Sequence, residues 1–354
     1  MLRQIENAVS NGEYTLDGMS DIEKKAFFEL GVSKTVYGLV YPETSNITRI
    51  TLGGFGLEDG FQKPYTKVQD RMHDVLFDNF FEWAKLRGVK INEEKFVERY
   101  PTSGSNEAIK DTIAYLGSRE IDGYKPKIHV FKGDYEGYKM NALAHNVCVV
   151  EHEREDFEKT IKENFKKGDR FYVSQPSGID GNYWSGYEEF MNFLQNEVPE
   201  MKVMLDLAYL GTSAEEEVPE IDASHNNISG IFFSTSKSFG TYYQRIGGLV
   251  SREAIPSLYG NKWFKSLPAI TVGSTLLRNS RNETLALKYS RYRREALKIL
   301  QDVSDVEIVG SDVNLLATSV IPANPTDIQR YLTREKLVRY CLTPLIDILM
   351  KNEL

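Results

Sequence analysis

Cysteine is nearly missing from this chain of 354 residues, which carries only Cys148 and Cys341. Two thiols make at most one disulfide and cannot assemble a cysteine-rich zinc site, so disulfide-stapled and zinc-ribbon architectures are excluded. Both thiols lie in apolar stretches, which points to buried free cysteines in a reducing cytoplasm. A basic surplus is missing too. Lys and Arg number 43 against 51 Asp and Glu, a formal net charge of −8, so neither nucleic-acid phosphates nor an anionic lipid surface is an expected partner. No apolar run reaches membrane-spanning length. The first twenty residues, with Arg3, Glu6, Glu13 and Asp17 spread through them, have no apolar stretch behind a basic start, and no cleaved leader is expected. There is no internal repeat and no low-complexity tract; Glu215-Glu216-Glu217 is short enough to be a solvated loop. The five histidines, His73, His129, His145, His152 and His225, show no metal-ligand spacing, and neither a Walker A sequence nor a Gly-x-Ser-x-Gly elbow occurs. What remains, with 41% hydrophobic residues, is a globular protein of one large or two medium domains suited to small-molecule chemistry.

The apolar pattern divides the chain. Residues 20 to 31 and 66 to 87 have helical spacing, with a glycine-rich extended segment between them. From about residue 100, helices alternate with short apolar runs. The first helix covers Glu107 to Leu116; the runs are Ile128 to Phe131, Cys148 to Val150, Phe171 to Val173, Val203 to Leu205, Ile231 to Phe233 and Gly248 to Val250. Helices from Asp156 and near Tyr187 to Leu194 fall between them. Strands read as continuous apolar runs when helices cover both faces, so the fold class is α/β: an open, mostly parallel sheet. The expected division is residues 1–59 as an N-terminal arm and part of a small domain, 60–252 as the large domain, and 253–354 as the rest of the small domain. That last stretch reads as a long helix over 276–303, strands at Val306 to Val309 and Leu315 to Ile321, and a closing helix.

Ligands of an open parallel sheet bind beyond the carboxyl ends of the strands, and there the sequence turns polar. Gly133-Asp134-Tyr135, Ser174-Gln175-Pro176-Ser177-Gly178, Asp206 with Tyr209, and Ser234-Thr235-Ser236-Lys237 each follow an apolar run. A lysine fed by an apolar strand into a small-residue turn is desolvated, which favours the neutral amine a Schiff base needs; the alternative is a plain surface lysine. Arg245, flanked by Gly240-Thr241 and Gly247-Gly248, sits in a flexible turn that would let a guanidinium clamp a phosphate, or it is an ordinary exposed arginine. Asp206 would hold a ring nitrogen protonated, or cap the helix after it. Thr102-Ser103-Gly104-Ser105-Asn106 opens a helix, either as a phosphate cradle or as a simple cap. Gly53-Gly54-Phe55-Gly56 looks like a dinucleotide fingerprint, but its later spacing is wrong and Glu58-Asp59 would repel a pyrophosphate, so it is rejected.

In order and spacing, Ser103-Gly104-Ser105, Tyr135, Gln175-Pro176-Ser177-Gly178, Asp206 with Tyr209, Ser234 with Lys237, and Arg245 resemble the fold type I pyridoxal-phosphate-dependent aminotransferases, the aspartate-aminotransferase-like class. The resemblance is closest over residues 100 to 250, above all in Ser-x-x-Lys followed eight residues later by Arg-x-Gly. It implies pyridoxal 5′-phosphate as cofactor, with Lys237 as Schiff-base former and catalytic proton carrier. It further implies Asp206 on the pyridine nitrogen, Tyr209 on the phenolic oxygen, Tyr135 stacked on the ring, and Gly104, Ser105, Ser234 and Arg245 around the phosphate. Gln175 stands where the family usually has an asparagine touching the phenolic oxygen, which implies Gln175 as a cofactor contact, and the C-terminal domain looks short. Arg339, in Val338-Arg339-Tyr340, is the candidate for gripping the substrate carboxylate; the alternative is a solvated helix residue. The expected function is transfer of an amino group between an amino acid and a 2-oxo acid by a cytoplasmic homodimer, with Tyr37 to Tyr41 and Phe55 to Tyr65 as possible partner contacts. Another reaction on the same platform, decarboxylation or elimination, and a non-catalytic binding protein of the same fold are the alternatives; a nucleotide-binding module would need a glycine-rich turn after the first strand, and none has the right context.

Overall fold

The computed structural model describes residues 5, 9–11, 16–55, 69–263 and 266–352. Gly56, Glu58 and Asp59, most of the Phe55 to Tyr65 stretch, and the boundary at residue 60 lie outside these residues. Strands β1 (Val89–Lys90) and β2 (Glu98–Thr102) come first, followed by β3 (Ile128–Phe131), β4 (Val149–His152), β5 (Arg170–Ser174) and β6 (Lys202–Asp206), then β7 (Ile221–Asp222), β8 (Ile228–Ser234) and β9 (Gly247–Ser251). Seven of them form one sheet in the order β2-β9-β8-β6-β5-β3-β4. Pairs β3–β4, β3–β5, β5–β6 and β6–β8 are parallel, and only β9 runs against its neighbours β8 and β2.

The continuous apolar runs follow from burial on both faces. Alternate residues feed two separate clusters: Phe131, Phe171, Val173, Val203, Leu205, Ile231 and Phe233 on one side, Val130, Tyr172, Met204, Phe232 and Leu249 on the other. The first face is covered by helices Gln69–Lys85, Phe157–Asn164 and Tyr187–Glu197, through Phe77, Phe80, Phe157, Ile161, Phe190 and Leu194. The second is covered by Ser105–Gly117 and Glu136–Ala144, through Ile109, Ile113, Tyr138 and Ala142. A fully buried side chain of this size contributes about 1.5–3 kcal/mol relative to exposure, so neither face tolerates a polar strand position without a partner.

Beyond the large sheet, β10 (Val309–Gly310), β11 (Leu316–Val320), β12 (Thr333–Arg334) and β13 (Leu337–Cys341) make a small antiparallel sheet in the order β10-β11-β13-β12. Ser33 bridges to Cys341 in antiparallel fashion, which ties the segment after the Asp21–Leu30 helix to this sheet.

Several sequence expectations change. The supposed helix over 276–303 is three helices, Leu267–Asn279, Leu285–Lys288 and Ser290–Val303. The first ends at Ser280, and the Thr284 hydroxyl accepts from Leu287 N to start the next, a cap competing with continued helix. The segment between the first two amphipathic stretches is not extended, because Pro42–Phe55 is helical, and a proline in the first turn costs no hydrogen bond there. Of Val306 to Val309 only Val309 is in a strand. Cys341 is buried as expected, but Cys148 is exposed, since it precedes β4 at the sheet's edge.

Candidate active site

The carboxyl ends of β3, β5, β6 and β8 lie side by side, because Ser174 pairs with Asp206 and Asp206 with Phe232. The reversed strand β9 enters at the same edge, Gly247 pairing with both Thr102 and Ser234. A cavity of about 320 Å³ opens there, and Ser105, Tyr135, Asp206, Tyr209, Ser234, Lys237, Arg245 and Arg339 all line it. The large sheet and the small sheet beside it together assemble residues that lie 234 positions apart in the numbering, from Ser105 to Arg339.

Asp206 ends β6 with 3% of its surface exposed. Its Oδ1 accepts from Ala208 N at 3.0 Å and its Oδ2 from the Tyr138 hydroxyl at 3.1 Å, but among the described residues no cation pairs with it. Burial pushes its carboxyl up to about 7, with the nearby Asp134 charge adding to the push. Asp134 itself is saturated, taking Ser174 Oγ at 2.6 Å and Tyr135 N at 2.7 Å. A buried carboxylate without a counter-charge is costly, and a protonated heterocyclic nitrogen is the kind of group that relieves it.

Lys237 follows β8. Its Nζ donates to the Val36 carbonyl and lies 5.8 Å from the Tyr209 ring centroid. Burial pulls the amine down to about 8, and the neighbouring Arg339 and Arg245 charges act the same way. An ammonium held this way gives up its proton near neutrality, which is the condition for a nucleophile or a proton carrier. Tyr209 is itself pushed up to about 12 by burial, so it stays a hydroxyl donor.

The third feature is an anion cradle. Gly104 has φ +76°, and a Cβ there would stand 2.9 Å from Arg245 Nη2; a Cβ on Gly247 would stand 2.8 Å from Gly104 Cα and 2.5 Å from the Phe233 carbonyl. Only glycine fits such a close approach. Gly104 precedes the Ser105–Gly117 helix, whose first N–H groups carry partial positive charge, and Arg245 Nη2 donates to the Ser103 carbonyl at 2.9 Å. The Ser236 hydroxyl, which lines the cavity, is buried without a hydrogen-bond partner among the described residues, an acceptor-seeking group beside a cationic turn.

Tyr135 is 40% exposed, donates to Asn106 Oδ1 at 3.1 Å and meets Tyr138 edge-on with centroids 5.4 Å apart. Arg339 belongs to strand β13 and is 8% exposed, so it is not a solvated helix residue; its Nη1 donates to the Gly178 carbonyl at 2.6 Å. Gln175 does not line the cavity. Its amide is engaged with the Trp184 backbone, accepting at 3.2 Å and donating at 3.4 Å, which removes the expected contact with a ring oxygen. Ser103 contributes its carbonyl to Arg245 rather than a side chain to the cavity. Sequence reasoning placed Asp134 and Ser236 at strand ends without giving them a role, and it missed Tyr138, Lys34 and Arg334. Tyr138 stands one helical turn beyond Tyr135, a spacing that could have found it; Lys34 comes from a remote segment with no local signal.

This fold, a mostly parallel seven-stranded sheet between helical layers with a small antiparallel sheet beside it, is the aspartate-aminotransferase-like fold. Comparison with solved structures gives the same class. YbdL of Escherichia coli, described as a methionine aminotransferase, superposes with a TM-score of 0.69 at 16% identity, covering 96% of this chain and 98% of that one. The pyridoxal-phosphate-bound C-S lyase of Staphylococcus hominis gives 0.68 at 13% identity over 96% and 93%. Histidinol-phosphate aminotransferase of Clostridium acetobutylicum gives 0.60 at 14% over 91% and 99%. No protein-family model matches the sequence, and no curated protein matches it.

Proposed function

We propose that this protein is a pyridoxal-phosphate-dependent aminotransferase, moving an amino group between an amino acid and a 2-oxo acid. One observation carries the reading: a buried amine drawn down to about 8 and a buried carboxylate with no cation among the described residues face the same cavity, next to a glycine-lined arginine. The donor set fits the cofactor group by group. Asp206 would hold the proton on the ring nitrogen, and Tyr209 would donate to the ring oxygen. Gly104, Ser105, Ser234, Ser236 and Arg245 would hold the phosphate, and Tyr135 would cover one ring face. When bound, the cofactor supplies an aldehyde carbon that condenses with amines and a ring that withdraws electrons from the substrate α-carbon. Lys237 Nζ would be the amine that holds the cofactor through that carbon, and it would carry the proton on and off the substrate α-carbon. Arg339 would orient the substrate through its carboxylate. Activity in the cytoplasm as a homodimer, and the division into a large domain of residues 60–252 and a small domain from both ends, complete the proposal. The exposed Tyr37, Val40 and Tyr243, at 37%, 54% and 90%, suit a partner contact. Among the described residues no helix is long and apolar enough to cross a membrane.

Elimination is the second reading, because the C-S lyase superposes as well as the aminotransferases do. The test is the visible spectrum of the purified protein with added pyridoxal phosphate, then borohydride reduction and mass mapping. A yellow protein labelled on Lys237, with no label in Lys237→Ala, supports the assignment. A colourless, unlabelled protein refutes it and leaves a binding protein of this fold. Multiple-turnover formation of a 2-oxo acid only when an amino acceptor is present separates transamination from elimination, which needs none and releases ammonia.

A further inference from the structure

Away from the cavity, the described residues hold a cluster of one imidazole and two carboxylates. Glu188, Asp222 and His225 bring three donor atoms within 4.8 Å of one another. None of them lines the cavity beyond the strand ends, and none has a part in the chemistry proposed above. Glu188 stands in the first turn of the Tyr187–Glu197 helix. Asp222 ends β7, which pairs in parallel with β1, and His225 lies in the turn between β7 and β8. Histidine spacing along the chain does not reveal the cluster, because two of its donors are carboxylates and one of them comes from 37 positions away.

The donors are oriented from behind. The His225 side chain is 8% exposed; its Nδ1 lies 3.3 Å from Gln195 Oε1 and its Nε2 3.2 Å from Glu188 Oε1. Both ring nitrogens therefore face oxygens, yet a neutral imidazole has a single N–H. With Nδ1 donating to Gln195, as the rear nitrogen of a metal-bound histidine donates to an oxygen, Nε2 turns its lone pair toward the carboxylates, an arrangement that a cation relieves. Asp222 Oδ1 accepts from Ser224 N at 2.8 Å and Ser224 Oγ at 2.6 Å, which fixes that carboxylate. Arg252 braces the turn through the carbonyls of His225 at 2.8 Å and Asn226 at 3.0 Å. The cation now beside the cluster is Lys90, whose Nζ donates to Asp222 Oδ2 at 2.8 Å. That hydrogen bond and the Asp222 charge hold its amine above the ordinary value, and Glu220 and Glu188 add to the effect. Among the described residues Lys90 pairs with neither Glu188 nor His225, and its side chain is 58% exposed, so it is a weak competitor.

We propose that His225 Nε2, Glu188 and Asp222 bind a zinc ion, which displaces Lys90 from Asp222 and fastens the Tyr187–Glu197 helix to the β1–β7 ribbon. Tetrahedral ligands about 2.0–2.2 Å from an ion stand about 3.4 Å apart, and the His225–Glu188 pair is already at 3.2 Å; the rest is within reach of a side-chain rotation by the exposed Glu188. One imidazole and two carboxylates suit zinc, whereas calcium takes six to eight oxygens and magnesium prefers oxygens and water. Water fills the fourth position. The site is independent of the aminotransferase reading.

Titration of the full-length, metal-stripped protein with Zn²⁺ against a chromogenic chelator tests it, with Co²⁺ as a spectroscopic stand-in. One Zn²⁺ binds per chain and raises the melting temperature, Co²⁺ gives the visible bands of a four-coordinate ion, and an excess of Ca²⁺ or Mg²⁺ displaces neither. Loss of a partner behind a ligand costs roughly ten- to a hundredfold in metal affinity, and loss of a ligand costs more. Glu188→Gln, an exposed change that leaves the fold intact, and His225→Gln should therefore each weaken Zn²⁺ binding by more than about a hundredfold, and Gln195→Leu by roughly tenfold. Lys90→Gln should tighten it, because the competing ammonium is gone. No saturable Zn²⁺ binding overturns the proposal and leaves His225 and Glu188 as an imidazolium–carboxylate pair. Binding that Glu188→Gln and His225→Gln leave unchanged overturns it as well, as does binding lost only in Cys148→Ser, whose exposed thiol is a competing zinc ligand. Equal binding of Ca²⁺ or Mg²⁺, the behaviour of a plain acidic surface, does the same. A protein that never turns yellow with pyridoxal phosphate would refute the cofactor reading and leave this test untouched.

Discussion

Asp206→Asn should make the cofactor-free protein more stable above neutrality while impairing what the site is for. The Asp206 carboxyl is raised from 3.8 to about 7, chiefly by burial. A carboxyl raised on folding binds its proton more tightly in the folded chain than in the unfolded one. Stability is then highest below the unfolded value and falls as pH rises through the folded one. A rise of about three pH units corresponds to about 4 kcal/mol at 1.36 kcal/mol per unit, of which about 3 kcal/mol falls between pH 5 and pH 8. Asparagine keeps the acceptor for Ala208 N and a polar partner for the Tyr138 hydroxyl but does not titrate. Urea unfolding of cofactor-free wild type and Asp206→Asn at pH 5 and pH 8 reads the double difference, in which every other titrating group cancels. The gap between their midpoints should widen in favour of the variant at pH 8 by roughly 1 M urea. Added pyridoxal phosphate should close the gap, because a ring cation supplies the missing counter-charge, and the variant should bind the cofactor more weakly. Midpoints that move in parallel between the two pH values would refute the claim that Asp206 is an uncompensated buried carboxyl.

Arg245→Ala should weaken pyridoxal-phosphate binding by roughly ten- to a hundredfold, the cost of one charged hydrogen-bond donor, measured by absorbance titration; unchanged affinity removes Arg245 from the phosphate site. A second buried network lies within the large sheet and away from the cavity lining. There His129 Nδ1 meets His152 Nε2 at 2.8 Å, His129 Nε2 meets Asp169 Oδ2 at 3.1 Å, and His152 Nδ1 meets Thr160 Oγ1 at 2.8 Å. His129→Leu leaves His152 and one Asp169 oxygen each a partner short, so the urea midpoint should fall by the equivalent of about 1–3 kcal/mol with cofactor affinity unaltered; an unchanged midpoint would show that the network contributes nothing.

The large sheet was legible because its strands are buried on both faces and therefore spell continuous apolar runs, each ending where the polar chemistry begins. Lys237, Asp206 and Arg245 could be read for the same reason: Asp206 ends β6, Lys237 follows β8 and Arg245 precedes β9, so local order puts each at the same edge of the sheet. Breaks in regular structure were harder to see. The Thr284 cap that divides one expected helix, and the helix starting at Pro42, depend on side-chain hydrogen bonds and first-turn geometry that a hydrophobic pattern does not record. Gln175 looked like a ligand contact by position, yet packing turned its amide to the Trp184 backbone. Arg334 and Lys34, which also line the cavity, were invisible because nothing local marks them. One becomes a neighbour of Arg339 only through hairpin register, and the other arrives from a segment that Ser33 pins to the far sheet. Strand-end chemistry is thus written in the chain itself, while the charge balance of the cavity is decided by long-range pairing.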